Sequence, residues 1–338
     1  MPTVAIDARD ATGSQLRGWG RYVRELVDAL RALPEPVAQW LVLDRGGPGP
    51  ELAWEQAALP LLLRRRGADV VHAPNCFLPL RRPCPGVVTV TDLAFEAYPE
   101  DFGRRTGWKY RTFTPRAVRS AERVIAISAF TRDDLVARYH VDPAKVRVIH
   151  LAPSLAVGSA EPPQRGPYLL AVGDLRAKKN HERLVHAWRA LRAEGLPHRL
   201  VLAGADAGEG PRLRAAAGGE PLEITGYVDD ARLDALMRGA DLLVHPSLYE
   251  GFGLVVVEAM ERGVPVVAAR TTSLPEAGGD AALYADPLDV EDLTASIRAV
   301  LEEPERRAAM VTAGRARAAQ LSWEATARAT AAVYEELL

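Results

Sequence analysis

The feature that most constrains this chain is the alternation of short apolar, β-branched runs with longer segments of helical periodicity. Such alternation predicts a parallel sheet with helices on both faces, because each parallel connection needs a crossover helix. In the first half, the pattern predicts strands at 3–7, 40–43, 69–72, 87–91, 123–127 and 146–149, and helices at 20–33, 104–121 and 129–139. Ser128 is the expected N-cap of the last of these helices.

The alternation stops over residues 152–167, a stretch rich in proline and glycine that we interpret as a linker. It then restarts, with strands predicted at 168–172, 199–203, 222–225, 241–245 and 264–268, and helices at 181–193, 230–238, 253–262, 290–302, 305–320 and 323–338. The sequence therefore predicts an α/β chain of two doubly wound domains, 1–155 and 166–322. Ligands bind outside the carboxyl ends of the strands in such sheets, so we expect the chemistry in a cleft between the domains.

Composition narrows the class of protein. The 338-residue chain carries a net charge of −2, which argues against a nucleic-acid partner. Its two cysteines, Cys76 and Cys84, do not make a disulfide framework, so a reducing compartment fits. The first residues lack the layout of a secretory signal, and no apolar run approaches the ~20 residues that span a bilayer. We therefore expect a cytoplasmic protein.

The most informative segment is residues 248–260, Leu-Tyr-Glu-Gly-Phe-Gly-Leu-Val-Val-Val-Glu-Ala-Met, which follows a predicted strand. Its glycines allow backbone to approach a ligand, and the free N–H groups at the start of the next helix favour a phosphate. Glu250 in the loop is predicted to accept hydrogen bonds from sugar hydroxyls, and Glu258, on the helix, to reach a ribose. The alternative is that Glu250 caps the helix and Glu258 is a solvated face residue.

A second segment, residues 169–181, ends a predicted strand with a glycine and gathers cations before a helix for which Asn180 is the expected N-cap. A departing nucleoside diphosphate gains negative charge, which a metal ion or fixed cations must stabilise. Because the sequence has no Asp-x-Asp, we predict no metal and assign this role to Lys179 and Arg176, with Lys178 close by. The alternative is three solvated basic residues in a loop.

Two sites in the first domain are less specific. Gly18-Trp19-Gly20 follows the first strand but fails the dinucleotide fingerprint, because the residue three past Gly20 is a valine. We predict either a loop that closes over the ligand or an ordinary helix entry. Asp92, at the carboxyl end of the predicted strand 87–91, is expected either to orient the sugar or the acceptor, or to cap the next segment.

Together these segments resemble the family-4 retaining glycosyltransferases of the GT-B fold, over nearly the whole chain. The most specific mark is the pair Glu250 and Glu258 in Glu-Gly-Phe-Gly context. Leu-Arg-Ala-Lys-Lys-Asn, Gly-Trp-Gly-Arg-Tyr, Ile-Ser-Ala-Phe-Thr and Leu-Ser-Trp-Glu also fit. The resemblance implies two Rossmann-like domains facing a cleft, the first for the acceptor and the second for the nucleotide-sugar donor. It also implies a last helix, 323–338, that crosses back onto the first domain.

The resemblance further implies roles for individual residues. Catalytic roles fall to Asp92, Arg176, Lys179 and Glu250, and donor-binding roles to Gly18, Gly20, Lys178, Tyr227, Val228, Gly251, Phe252, Gly253, Leu254 and Glu258. It implies metal-independent, front-face transfer of a hexose or deoxyhexose to a hydroxyl of a glycan, a lipid-linked sugar or a small molecule, with no cofactor beyond the donor itself. The leaving phosphate would accept the acceptor's proton.

The chain departs from this pattern at two positions. Many relatives carry histidine where this chain has Thr91, and some carry arginine where it has Asp174. A hydroxyl makes a hydrogen bond but carries no charge. Two other functions stay open. One is a nucleotide-sugar binding protein with weakened catalysis, which the first departure suggests; the other is an epimerase or hydrolase of the same fold that consumes the donor without an acceptor.

Residues 103–121 carry six basic residues and no acid, interleaved with Trp108, Tyr110 and Phe113. One interpretation is a solvated helix face. The other is that residues 104–119 contact an anionic membrane surface, at the inner face of the membrane, or a polyprenyl-diphosphate sugar, because basic residues with aromatics favour an interfacial position.

Overall fold

The computed structural model describes residues 1–12, 18–46, 50–158, 161–162 and 166–338. The chain forms two compact units. The first comprises Met1–Ala152 with Ser322–Leu338, and the second comprises Pro153–Leu321.

The first unit is built on a six-stranded parallel sheet with strand order β2-β1-β3-β4-β5-β6. Its elements up to the boundary are β1 Thr3–Asp7, α1 Gly18–Arg31, β2 Gln39–Leu43, α2 Glu51–Ala53, α3 Leu59–Arg66, β3 Val70–Ala73, β4 Gly86–Val90, α4 Ala94–Ala97, α5 Arg104–Ser120, β5 Arg123–Ala126, α6 Ala129–Tyr139 and β6 Val146–Val148. A π-helical segment, Trp54–Ala58, joins α2 to α3. The predicted N-cap of α6 is confirmed, since the Thr131 N–H donates to Ser128 Oγ at 3.0 Å.

The glycine pair after β1 does not form a loop. Gly18 and Gly20 lie in the first turn of α1, because apolar residues recur at helical spacing behind them and bury one face of the helix. Trp19 packs edge-on against Tyr110, with ring centroids 5.5 Å apart. The helix-entry alternative is therefore correct for these glycines. Residues 13–17, which precede them, lie outside the described residues.

The second unit has a second six-stranded parallel sheet, with order β12-β11-β10-β7-β8-β9. Its elements are β7 Tyr168–Val172, α7 His181–Ala193, β8 Arg199–Ala203, α8 Gly210–Ala217, β9 Leu222–Gly226, α9 Asp230–Gly239, β10 Leu242–His245, α10 Leu254–Glu261, β11 Val266–Ala269, α11 Leu274–Gly278, β12 Leu283–Ala285, α12 Val290–Glu302 and α13 Pro304–Ala319. Apolar clusters cover both faces of this sheet, and most residues of its central strands are therefore buried.

The strand order of the second sheet determines where its site lies. From β7 the chain moves outward through β8 to β9, then returns to β10 on the other side of β7 and moves outward again. The loops after β7 and β10 therefore leave the sheet at the point where the strand order reverses. This is the position at which doubly wound sheets bind ligands.

The last helix, α14 Trp323–Glu335, belongs to the first unit. The Tyr334 hydroxyl lies 2.7 Å from His72 Nδ1, and the Trp323 ring packs near Tyr22. The predicted return of the chain to the first unit is thus confirmed. Across the described ranges, the helices are all too short or too polar to traverse a lipid bilayer.

Candidate functional site

The loops after β7 and β10 meet in a charged pair. Lys179 Nζ donates to Glu250 Oε1 at 2.5 Å, and the two side chains are only 16% and 14% exposed. Gly173 leaves room for the Lys179 side chain. Gly173 has a φ of +141°, and a Cβ added to it would lie 3.0 Å from Lys179 Cε. The two residues predicted to hold the diphosphate and the sugar are therefore neighbours.

His245, the last residue of β10, completes this cluster. Its Nε2 lies 3.0 Å from Glu250 Oε1 and 3.3 Å from Ser247 Oγ. Burial lowers the pKa of His245 even though Glu250 opposes the shift, so the ring is neutral at pH 7. A carboxylate can only accept, so Nε2 carries the hydrogen. The sequence analysis missed this residue, whose signal was a histidine at the end of a buried strand, five positions before Glu250.

The Glu250 carboxyl stays ionised despite its burial. Burial alone would raise its pKa, but Lys179 and His245 outweigh burial and hold the pKa well below its ordinary value. Gly253, not Glu250, occupies the N-cap of α10, where the described residues show no side-chain capping bond. The capping alternative for Glu250 is therefore not what the structure shows.

The backbone around Glu250 is held by the residues that follow β11. The Glu250 N–H donates to Thr272 Oγ1 at 3.2 Å, and Ser273 Oγ donates to the Glu250 carbonyl at 2.8 Å. Thr272 has φ of +54°, which is costly for a β-branched residue and persists only where its surroundings impose it. Propensity could not have predicted this support.

The predicted phosphate cradle lies directly after Glu250. Phe252 is 2% exposed, and Gly253 has φ of +109°. A Cβ on Gly253 would lie 2.9 Å from Leu274 Cδ2, and this positive φ strains any residue that carries a Cβ, so the position favours glycine. Leu254 begins α10, and the positive end of that helix faces the loop that carries Gly251. All four predicted residues are thus brought together with Glu250.

Glu258 is not a solvated face residue. It is 3% exposed, and its Oε1 accepts from the N–H of Ser154 at 3.4 Å, the N–H of Leu155 at 3.1 Å and the Ser154 hydroxyl at 3.2 Å. The start of the stretch that we interpreted as a linker is therefore fixed to α10.

The two further cations differ in position. Lys178 is among the charges that lower the pKa values of Glu250 and His245. Arg176 instead lines a groove of about 490 Å³ over the start of α7, together with His181 and Arg183. The structure favours Lys178 over Arg176 as the second cation at the pair.

Asn180 occupies the N-cap position of α7, as predicted, but its side chain does not cap the helix. Its φ of +58° is left-handed, whereas a side-chain cap needs an extended residue, and no capping bond to α7 forms within the described chain. Its amide donates instead to the carbonyl oxygens of Pro246 and Pro287.

Two further loops leave the same edge of the sheet, after β8 and β9, and the second carries Tyr227 and Val228, which are predicted to bind the donor. Asp206 Oδ1 accepts from the N–H groups of Gly208 and Gly210 and so shapes the first loop. Tyr227, 45% exposed, and Val228, packed on the core, follow β9 in the second.

Thr91 and Asp92 follow β4 in the first unit. Asp92 Oδ1 accepts from the Ala94 N–H at 2.8 Å, so its carboxylate fixes the turn that leads into α4, whose N-cap is Leu93. Thr91 is 5% exposed, and its hydroxyl has no hydrogen-bond partner among the residues that the structure describes.

A buried charge cluster at the end of β1 was not predicted. Arg9 Nη2 lies 2.7 Å from Asp7 and 3.2 Å from Glu55, and Lys109 Nζ lies 3.0 Å from Glu55. Glu55 is fully buried in the π-helical segment, a distortion that is frequent at functional sites. Lys109 therefore points inward and does not belong to a solvated basic face.

No three His, Cys, Asp or Glu side chains of the described residues come together in a way that could hold a metal ion. Metal independence stays a prediction.

Two family models match the chain. The one described as "Glycosyl transferases group 1" matches residues 158–317, and the one described as "Glycosyltransferase Family 4" matches residues 34–152. The chain is 31% identical over 285 residues to the O-antigen chain mannosyltransferase B of Escherichia coli, covering 79% of this chain and 74% of that protein. It is 29% identical to the MMP alpha-(1->4)-mannosyltransferase of Mycolicibacterium hassiacum, covering 90% and 79%.

Solved structures share the fold. Sucrose-phosphate synthase from Thermosynechococcus elongatus superimposes with a TM-score of 0.76 at 22% identity, covering 100% of this chain and 99% of that one. HepE of Anabaena, in complex with UDP and glucose, gives 0.73 at 19% identity with full coverage of both chains. Fold and matches define a glycosyltransferase of the GT-B architecture. The chain belongs to glycosyltransferase family 4.

Proposed function

We propose that this protein is a retaining, metal-independent glycosyltransferase that moves a hexose or deoxyhexose from a nucleotide-diphosphate sugar to a hydroxyl acceptor. The observation that carries the proposal is the Lys179–Glu250–His245 cluster at the switch point of the second sheet, beside the start of α10. The HepE structure, which was solved in complex with UDP and glucose, supports a nucleotide sugar as co-substrate.

The charges suit a departing diphosphate. Lys179 and Lys178, with the N–H groups at the start of α10, would stabilise the charge that grows on the leaving phosphate. Glu250, held as a carboxylate through Oε1, would accept from sugar hydroxyls through Oε2. Glu258 would accept from the ribose. Nearby, Tyr227 and Val228 would flank the base.

The transfer balances without an enzyme nucleophile. The acceptor oxygen bonds to the anomeric carbon on the face that the diphosphate leaves, the carbon–oxygen bond to the diphosphate breaks, and its electron pair stays on the phosphate oxygen. That oxygen takes the acceptor's proton. Asp92 and the Arg9–Glu55–Lys109 cluster, in the first unit, would orient the acceptor.

The anomeric configuration of the first product tests this proposal. With EDTA present and an alkyl glycoside or water as acceptor, proton NMR of the first minutes should show the configuration of the donor. An inverted product would contradict retention, and a reaction that stops in EDTA would contradict metal independence.

A second function, a nucleotide-sugar binding protein with weakened catalysis, is favoured by the Thr91 hydroxyl, which makes no hydrogen bond to any residue in the described part of the chain. We expect Thr91→His to raise kcat about tenfold with little change in donor KM, because an imidazole can reach a group that the short hydroxyl leaves unbonded. Steady-state kinetics against Thr91→Val decide this. An unchanged kcat in Thr91→His would show that position 91 does not limit the rate.

We also propose that the protein is cytoplasmic and docks peripherally on anionic membranes through α5. Arg104, Arg105 and Arg116 are exposed, and Trp108 is 56% exposed. Co-sedimentation with anionic vesicles should occur at low salt and weaken as salt screens the charges. Arg104→Gln with Arg105→Gln should reduce it. Equal binding to zwitterionic vesicles, or none at low salt, would contradict docking.

A further inference from the structure

Asn180 lies next to Lys179, between the loop after β7 and the start of α7. It is 5% exposed and has φ of +58°, a backbone conformation that asparagine tolerates better than most side chains. The backbone conformation at position 180 thus favours asparagine independently of the side-chain contacts.

Both polar atoms of the Asn180 side-chain amide make hydrogen bonds. Nδ2 donates to the Pro246 carbonyl at 3.0 Å and to the Pro287 carbonyl at 2.7 Å, and Oδ1 accepts from Arg183 Nη1 at 2.8 Å. Pro246 directly follows β10, and Pro287 follows β12. One side chain therefore fastens the loop after β7 to two other loops at the same edge of the sheet.

The hydrogen bonds of Asn180 lie beside the Lys179–Glu250 pair. The Leu248 N–H donates to the Lys178 carbonyl at 2.8 Å, Lys179 meets Glu250, and Asn180 meets Pro246. Three consecutive residues of the loop after β7 are thus hydrogen-bonded to the loop after β10, and the middle one forms the charged pair. A lysine side chain is long and flexible, so its ammonium keeps a fixed position only if its backbone is held.

We propose that Asn180 is a positioning residue, which holds the Lys179–Glu250 pair in register for the donor's diphosphate and sugar by joining the loops after β7, β10 and β12. This inference rests on the proposed function. Aspartate in its place would set a carboxylate against two carbonyl oxygens, whereas glycine would keep the left-handed backbone and remove only the ties. The two substitutions therefore separate backbone conformation from fastening.

The test compares the dissociation constants of the best-bound nucleoside diphosphate and of its parent nucleoside, measured by NMR titration or calorimetry. In Asn180→Gly, we expect the diphosphate to bind about 10- to 100-fold more weakly, since a small misplacement of a charged group has effects of this size. The nucleoside, which has no phosphate to meet Lys179, should change less than about threefold. Asn180→Asp should lose at least as much diphosphate affinity.

Arg183→Gln is the matched control, because it alters the partner of Oδ1 and leaves both ties to the prolines intact. It should change neither constant by more than about threefold on the same reasoning. If Asn180→Gly lowers the melting temperature but keeps the wild-type ratio of the two constants, Asn180 is only structural and the inference is overturned. If the wild type binds no nucleoside diphosphate, the proposed function fails first. If Asn180→Asp does not fold, Asn180→Gly alone decides.

Discussion

Lys179→Met is expected to lower kcat/KM for the nucleotide sugar by about 10²- to 10³-fold, the loss typical of removing one preorganised group that stabilises transition-state charge. Lys179 is the cation in direct contact with Glu250. Its removal would take away the charge that we propose meets the leaving phosphate. The buried Glu250 carboxylate would keep the hydrogen bond to His245 and the more distant charge of Lys178. The measurement is steady-state kinetics at saturating acceptor.

The pH dependence of this variant should also change. In the wild type, Lys179 and His245 outweigh burial and hold the pKa of Glu250 well below its usual range, so the carboxylate persists throughout the neutral range. Without Lys179, burial raises the pKa of Glu250, and donor binding should then be lost as the pH falls through the new, higher value. The acidic limb of the pH profile of donor binding therefore moves to higher pH in Lys179→Met.

Lys178→Met and Arg176→Met are the matched controls. Lys178 acts on Glu250 through charge alone, so we expect a loss of about tenfold or less, and Arg176, which lines the neighbouring groove, should matter less still. A Lys179→Met enzyme within threefold of the wild type would contradict the assignment of the pair.

Arg262→Met is expected to destabilise the second unit by about 3–5 kcal/mol, the usual effect of breaking a buried ion pair from one side. Arg262 and Asp234 are both fully buried, with Arg262 Nε 2.7 Å from Asp234 Oδ1. Nη2 also donates to the Leu155 carbonyl at 2.6 Å, and Nη1 donates to the Glu258 carbonyl at 2.9 Å. The substitution therefore releases the 153–158 segment from Arg262 and leaves the buried Asp234 with Arg238 as its remaining charged partner among the described residues.

Urea unfolding measures this loss, and the two compact units need separate probes because their transitions need not coincide. Arg298→Met is the control. Its pair with Glu194 is exposed, with side chains 34% and 55% accessible, so we expect less than about 1 kcal/mol. A loss below about 1 kcal/mol in Arg262→Met would show that the network does not stabilise the unit.

Much of the fold followed from periodicity. The long apolar strands β1, β7 and β8 were predicted to the residue, because a buried parallel strand is a continuous apolar run between helical patterns. Other elements were missed: β12 has three residues, α11 has five and α8 has eight, and the 51–66 helical stretch has its apolar pattern interrupted by a π-helical segment. Sequences this short carry too few repeats to show a period.

The residues of the candidate site also divide into those that the sequence predicted and those that it did not. Glu250, Lys179 and the glycines around Phe252 were found because their chemistry and spacing are local. His245, Thr272 and the contacts of Asn180 and Glu258 were not, since each depends on a loop distant in sequence. Residues that we propose to meet the ligand are therefore easier to predict from the sequence than the residues that hold them in place.

The most direct test of the central claim is a thermal melt with UDP, GDP, ADP, dTDP and CDP at equal concentration, in EDTA. A ligand present at 100 times its dissociation constant adds roughly 2.7 kcal/mol of stability, which a melt resolves. We predict that at least one diphosphate raises the melting temperature, and that Lys179→Met and Glu258→Ala each remove most of that shift. No shift with any of the five would contradict the donor site, and a shift that both variants keep would place it elsewhere.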